Sequence, residues 1–523
     1  MVTPQDTLVM GYSRNLSGFI IHPLRVKPAA GPTRWMYSAL VRFDERVEHV
    51  GDLAEGWEVS PDGCTYTFHL RKDVRWHDGH PFTAADVVYT AERMLDPATN
   101  FYFRNVLIVD GEPAKFTSRG EHTVQVRLAK PYAPLLSHLT PAWGSMFSVV
   151  PRHILERDGD DAFEQHPVGT GPFKFGGTTR DGALALDANP QYFRGAPKLA
   201  RVLVRFIPDN EERVQAFRDG QVDALIWPGR HFTDEEARRH GGRFYSVVSN
   251  TVMQWAPNHR RPLFGDRRLR QALAHAIDKE AVVRAAVPDA VIAHSPIGPA
   301  CWAHEPDVPI FAYDPQKAAG LLDEAGWRPG AGGIRTRDGQ PLRLSVIYSD
   351  DPWRFDLSVI AQGLRRNLRA VGVDLEVKPV TYWGGMKPAW RAMDFDTFIF
   401  YDTFYAEPDL YWSWHSAMPR RPKGPGDAAD LPQYGYGVTG YANPEADRLI
   451  VAARHAPDRA ERRRLLSQAQ KLMAEDVASF WLYYQALKIA VRDSVKGLSE
   501  PTIADPTHDL IVFLHPEQLY KVA

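Results

Sequence analysis

Between Leu342 and Tyr401 the chain alternates strand and helix signals in a way few folds accommodate. Leu342 to Tyr348 reads as a strand, and Val359, Ile360, Leu364 and Leu368 then recur at helical spacing until Gly372 stops them. Val373 to Val377 is a second strand, a helix near Trp383 to Met393 follows, and Phe395 to Tyr401 is a third strand. Strand, helix, strand, helix, strand is a parallel α/β unit, which favours α/β layers over a helix bundle or a β-sandwich. The same pattern continues on both sides. Leu269, Leu273, Ala276 and Ile277 mark one helix, and Asp314 caps another with Pro315 at its first position and Gly326 at its end. Helices begin at Asn443-Pro444 and at Asp458, and strands near Phe480 to Tyr484 and Ile489 to Arg492 close the chain.

The first half is richer in strands. Asp6 to Tyr12, Thr65 to Leu70, Thr123 to Leu128 and Leu199 to Ile207 each read as one. Thr83 and Asp86 form a capping box for a helix with Val87, Val88, Ala91, Met94 and Leu95 on its apolar stripe. Asp209 caps a further helix, with Val214 and Phe217 inward and Gly220 as its stop. Pro/Gly-rich segments near Pro288 to Pro309, Pro329 to Gly333 and Pro419 to Gly426 lie between elements of one regular pattern and read as surface loops.

Size and charge exclude several partners. A chain of 523 residues makes two large domains or more. Its 62 basic and 64 acidic residues leave a net charge of −2, without the basic face that nucleic acid or anionic lipid requires. The long charge-free stretch Pro131 to Pro151 is broken by Pro134 and Pro141 and is not a membrane span. No signal peptide opens the chain, and a strand starting at Asp6 suits a trimmed, mature N-terminus. Two cysteines, Cys64 and Cys301, make neither a disulfide framework nor a structural zinc site, and their pairing is left open.

Motifs of catalysis are missing. Trp76-His77-Asp78-Gly79-His80 offers metal-binding side chains, but His77 and His80 lack a further partner at ligand spacing, so the segment reads as a polar hairpin turn. Val168-Gly169-Thr170-Gly171-Pro172-Phe173 is not a phosphate loop, because it has no Gly-Lys-Ser/Thr and Pro172 removes a donor; its glycines read as a tight turn into a strand. Neither Gly-x-Ser-x-Gly nor His-Glu-x-x-His occurs. Carboxylate pairs such as Asp350-Asp351 and Glu407 with Asp409 read as solvated loop residues. Aromatic residues reach 11%, and Tyr401, Phe404, Tyr405, Tyr411, Trp412 and Trp414 gather where a parallel strand ends, the usual ligand side of an open α/β sheet. Trp143, Trp255 and Trp353 read as loop-borne aromatics.

Several segments together resemble the dipeptide-, oligopeptide- and nickel-binding class of extracellular solute-binding proteins, family 5, of ABC importers. The strongest block runs from Leu53-Ala54-Glu55-Gly56-Trp57-Glu58 through Ser60-Pro61-Asp62-Gly63, Tyr66-Thr67-Phe68 and Val74-Arg75-Trp76-His77-Asp78-Gly79 to Pro81-Phe82-Thr83-Ala84. Val168 to Phe173, Asp219-Gly220-Gln221-Val222-Asp223-Ala224, Ala276-Ile277-Asp278-Lys279 and Tyr313-Asp314-Pro315 to Gly326-Trp327 follow in order. The resemblance implies a bilobal periplasmic-binding-protein fold of type II, cluster C. Lobe I would comprise 1–252 and 486–523 with a subdomain inserted at approximately 40–170, and lobe II 253–485. It implies no enzyme and no cofactor, but a periplasmic monomer that encloses a solute between its lobes and delivers it to an ABC permease in the inner membrane. His77, Asp78 and Gly79 become scaffold.

Peptide-binding members hold the peptide amino group with an acidic residue a few positions before an Asp/Glu-Pro pair. Here the pair is Glu407-Pro408, Phe404 stands four before the proline, and Asp402 lies two residues earlier still. The candidate ligand contacts are Arg14, Asn15, Trp143, Trp255, Asn258, Arg354, Trp383, Tyr401, Asp402, Tyr405 and His415, with no metal ligand among them. Arg354 would anchor an anion and Asp402 a cation, with aromatic faces stacking on the rest. The solute is a peptide, an opine or sugar conjugate, or a metal chelate; the rivals outside the class are a polysaccharide-active enzyme with an aromatic cleft and a scaffold that holds no small ligand.

Overall fold

The computed structural model describes residues 6–12, 22–24, 31–99, 101, 104–141, 147–229, 232–350, 357–404, 407–417, 437–500 and 511–522. The chain forms two compact units, one built mainly from 1–247 and 487–523 and the other from 248–425 and 430–486.

In the first unit the strand Thr7–Tyr12 runs parallel to Arg201–Phe206 on one side and to Ala224–Ile226 on the other. Leu8, Met10 and Tyr12 are buried, as a strand covered on both faces requires. Leu184–Ala188 and Phe173–Thr178 extend the sheet antiparallel beyond Arg201–Phe206. Asp209 caps the helix Asn210–Arg218 by accepting the Glu212 N–H at 2.9 Å, which seats Val214 and Phe217 against Val222, Leu225 and Ala490.

A second sheet in this unit orders its strands Ala54–Val59, Thr65–Leu70, Thr123–Arg127 and Lys115–Ser118, all antiparallel. The helix Ala84–Leu95 starts at the expected capping box, with the Thr83 N–H donating to Asp86 Oδ2 at 2.9 Å. Asp86 Oδ1 also takes the Arg152 N–H at 3.2 Å, tying that box to the helix Arg152–Gln165. Cys64 and Cys301 are not bridged.

The glycines of Val168 to Phe173 correct the tight-turn reading. Neither Gly169 nor Gly171 has a positive φ. A Cβ on Gly169 would stand 1.8 Å from the Met36 carbonyl oxygen, and one on Gly171 2.2 Å from that of Trp35. The two glycines let one backbone lie directly on another, and the Gly171 N–H donates to the Met36 carbonyl at 3.0 Å.

The second unit holds the parallel strands read from the sequence. Arg343–Ser349 pairs in parallel with Asp374–Val380 and with Thr397–Thr403, and the helix Leu357–Ala370 packs over them through Leu357, Ile360, Leu364 and Leu368. Thr397–Thr403 then pairs antiparallel with Gly242–Pro257. Trp255 therefore sits in a strand, not a loop. The helix near Trp383 opens instead as a π-turn, Tyr382–Met386, followed by Lys387–Ala392 and a left-handed Met393. Gly384 and Gly385 weaken the α-helical register there, and Pro388 has no N–H to offer it. The last two expected strands are one, Phe480–Arg492, which pairs with Val291–Ile292 at Tyr483 and Tyr484 and with Ala224–Ile226 at Ile489 to Val491. Among the described residues no helix is long and apolar enough to cross a membrane.

Backbone contact at Gly169 makes a clear test. Gly169→Ala should lower the free energy of unfolding by at least about 2 kcal/mol, since neither carbonyl nor chain can yield cheaply. Gly265→Ala, where a Cβ meets nothing within 4 Å, should stay within about 0.5 kcal/mol. Urea unfolding of the two variants separates these outcomes.

Candidate ligand-binding site

In the second unit, strand pairing fixes which side chains share a face. Val252 stands opposite Asp402 and Gln254 opposite Phe400, so Asn250, Val252 and Gln254 line up beside Asp402 and Phe404. Three of these are polar and almost fully enclosed, with Asn250, Gln254 and Asp402 each 1% exposed. Asn250 Oδ1, Gln254 Oε1 and Asp402 Oδ2 have no hydrogen-bond partner among the described residues. A row of buried acceptors without donors costs stability unless something supplies the donors.

Asp402 is the most demanding of them. Its Oδ1 accepts the Thr403 N–H at 2.9 Å. Burial pushes the carboxyl up to about 7, although the nearby Ser413 hydroxyl and the Thr403 N–H favour the charged form. Among the described residues, neither Ser413 Oγ nor Asp402 Oδ2 has a hydrogen-bond partner. A half-ionised carboxyl enclosed at the end of the strand Thr397–Thr403 is suited to hold an ammonium or guanidinium group.

The neighbouring carboxylates behave differently, and the solvated reading of Glu407 and Asp409 is corrected. Asp409 pairs with Arg454 at 3.2 Å with both side chains 2% exposed. Glu407 accepts from Arg462 Nε at 2.8 Å. These arginines stand on the helices Pro444–His455 and Arg459–Glu475, and Glu407 and Asp409 are buried rather than solvated. Asp409 also takes the Tyr411 N–H at 3.0 Å and so starts the short helix Tyr411–Trp414. The Arg454 guanidinium lies 4.3 Å from the Tyr411 ring centroid and 5.2 Å from that of Trp412.

The sequence-derived contacts scatter. Arg14, Asn15, Trp143, Arg354 and Tyr405 lie outside the described residues. Trp255 is fully buried, its ring stacked 4.3 Å from Phe480. Asn258 is a brace, its amide donating to the carbonyls of Met393 and Phe395 at 3.0 Å. Tyr401 packs in the core on Phe400, with ring centroids 4.4 Å apart. Trp383 is 65% exposed, with Lys387 Nζ 5.0 Å over its ring. His415 packs tilted against Tyr411, ring centroids 4.4 Å apart, and takes the Ala417 N–H on Nδ1 at 3.0 Å. Among the described residues it joins no cluster of three metal-binding side chains. Asn250 and Gln254 were missed; two amide side chains in a strand that ends on the apolar run Val252, Met253, Trp255 and Ala256 were the available signal.

Residues 48–419 match the family described as bacterial extracellular solute-binding proteins, family 5 Middle. The oligopeptide-binding protein AppA of Bacillus subtilis is 26% identical over 481 residues, covering 88% of this chain and 83% of its own length. NikZ from Campylobacter jejuni, solved in complex with Ni(L-His), matches with a TM-score of 0.82 at 24% identity, over 99% of this chain and 100% of that one. MoaA from A. tumefaciens R10, solved in complex with mannopinic acid, matches with a TM-score of 0.75 at 25% identity, over 99% of each chain.

Two outcomes test the electrostatics. Because folding raises the Asp402 pKa from 3.8 to about 7, the folded state holds a proton that the unfolded state has lost in that window. Stability from this group is therefore full below about pH 4 and is lost as pH rises toward 7 and above. Asp402→Asn should raise the free energy of unfolding at pH 8, by up to on the order of 4 kcal/mol, and leave it unchanged at pH 3.5, read by denaturant unfolding at the two pH values. Arg454→Leu should cost about 3–5 kcal/mol by stranding the Asp409 charge, and adding Asp409→Leu should recover most of it, read by denaturant unfolding of the single and double variants.

Proposed function

Because the chain belongs to family 5 of the bacterial extracellular solute-binding proteins, we propose that it is the periplasmic capture component of an ABC importer. It binds one small polar solute and hands it to a permease in the inner membrane. The observation that carries the ligand class is the row of buried acceptors at Asn250, Gln254 and Asp402. Such a row asks for a donor-rich cationic group, and an amine is the simplest one that fits.

A peptide or amino-acid conjugate supplies that amine together with polar groups for the rest of the site. The relatives support both forms, one named for oligopeptides and one solved with mannopinic acid. Asp402 would carry the role that the sequence resemblance gives to an acidic residue before Glu407-Pro408, with the loop shifted to reach it. A metal chelate is less well served here, because His415 has its Nδ1 committed to backbone.

A melting screen of the full chain against di- to nonapeptides, opines, oligosaccharides and nickel–histidine tests this reading. One amine-bearing class should raise the melting temperature and bind one to one by calorimetry, with no product released. Asp402→Asn should weaken that solute at least tenfold. If no solute moves the melting temperature, or if an oligosaccharide is turned over, the capture function is wrong. If the solute binds equally well to the variant, Asp402 is not the contact.

A further inference from the structure

The hairpin turn Trp76–Pro81 and the helix Arg152–Gln165, both in the first unit, bring together three side chains of one chemistry. Asp78 Oδ2 lies 2.7 Å from His153 Nε2 and 3.3 Å from His80 Nδ1. The two imidazoles stack with centroids 4.1 Å apart, and one ligand atom from each of the three residues falls within 4.8 Å of the others. His153 is 75 residues beyond Asp78, so sequence spacing concealed the third donor that His77 and His80 seemed to lack.

The hairpin and its carboxylate are held in place before any ion arrives, and the two stacked imidazoles turn to direct their nitrogens at it. The Trp76 N–H donates to the His80 carbonyl at 2.8 Å, and Asp78 Oδ1 accepts the His80 N–H at 3.1 Å, which leaves Oδ2 turned toward the histidines. His153 is backed edge-on by the Trp76 ring at 6.3 Å. His77 faces away, with Nε2 on the Gly171 carbonyl at 2.9 Å and Nδ1 accepting the Gly169 N–H at 3.1 Å. The neighbouring cations are occupied: Arg152 pairs with Glu156, Arg157 with Asp158, and Arg75 donates to the Gly79 carbonyl. Side-chain exposures of 57% for His80, 25% for His153 and 29% for Asp78 leave a path from solvent.

We propose that Asp78, His80 and His153 form a three-ligand site for a divalent first-row transition ion of the zinc type, with water in the fourth position. Two imidazoles and a carboxylate select zinc, cobalt or nickel over magnesium or calcium. Bonds of about 2.0–2.2 Å in a tetrahedron separate ligand atoms by roughly 3.3 Å. The Asp78–His80 edge already has that length, and the Asp78–His153 edge opens by roughly half an ångström as the shared proton leaves. The ion would staple the hairpin to the helix, independently of the solute held in the second unit.

Calorimetric titration of the untagged, chelator-stripped full chain with zinc chloride tests the proposal, together with the visible absorption of added cobalt(II). The expected result is one zinc per chain, the intense band of tetrahedral cobalt, and at least a tenfold loss of affinity in both His80→Ala and His153→Gln. His80 is exposed, so its variant should melt with the parent when no metal is present. Absence of saturable zinc binding overturns the site. So does binding that is equally tight in the two variants, which would place the ion elsewhere.

Discussion

Two strands belong to both units at once, and most of the architecture depends on them. Gly242–Pro257 and Phe480–Arg492 each begin in one compact unit and end in the other. Phe480–Arg492 pairs with Ala224–Ile226 in the first unit and with Val291–Ile292 in the second. Side chains alternate with a period of two along a strand, so a one-residue slip would move every side chain of these strands to the opposite face. Fixing Trp255 against Phe480 and Ala490 against Leu225 therefore sets the register of two cores with two strands.

The region that follows Thr397–Thr403 is organised by charge. Three carboxylates occur close together in sequence, and the fold treats them in two ways. Glu407 and Asp409 each receive an arginine, which anchors the aromatic segment through Trp414 onto the pair of helices Pro444–His455 and Arg459–Glu475. Among the described residues, the hydrogen bond that Asp402 receives comes from a backbone N–H, that of Thr403. Buried ion pairs are costly to desolvate, and removing one partner is costlier still. The chain neutralises two of the acids with arginines and leaves the third buried beside Asn250 and Gln254, the arrangement on which the proposed amine site rests.

Local chemistry was legible in the sequence, and long-range chemistry was not. The caps Asp209, Asp314, Asn443 and Asp458 all accept the expected backbone N–H groups, because a cap involves only residues of its own first turn. The parallel unit from Arg343 to Thr403 was readable for the same reason, since period and stop residues lie within each element. The aromatic excess misled. Trp255, Trp390, Trp414 and Trp481 are buried packing residues, and only strand pairing and helix docking show it. The arginine partners of Glu407 and Asp409 come from helices whose docking no local pattern encodes. Gly169 and Gly171 look like turn residues in sequence, and only the backbone of Trp35 and Met36 reveals them as a packing surface.

A carboxyl poised near neutrality has a further consequence when its counter-ion is a solute. Asp402 is protonated in part at pH 7, and an arriving cation binds only the charged form. On the proposed reading, capture would exchange a proton for the solute, and the proton would leave to the medium. Acidification of the surroundings would then loosen the grip on cargo with no change in the fold. Loading of such a protein would report the acidity of its surroundings as well as the abundance of what it carries.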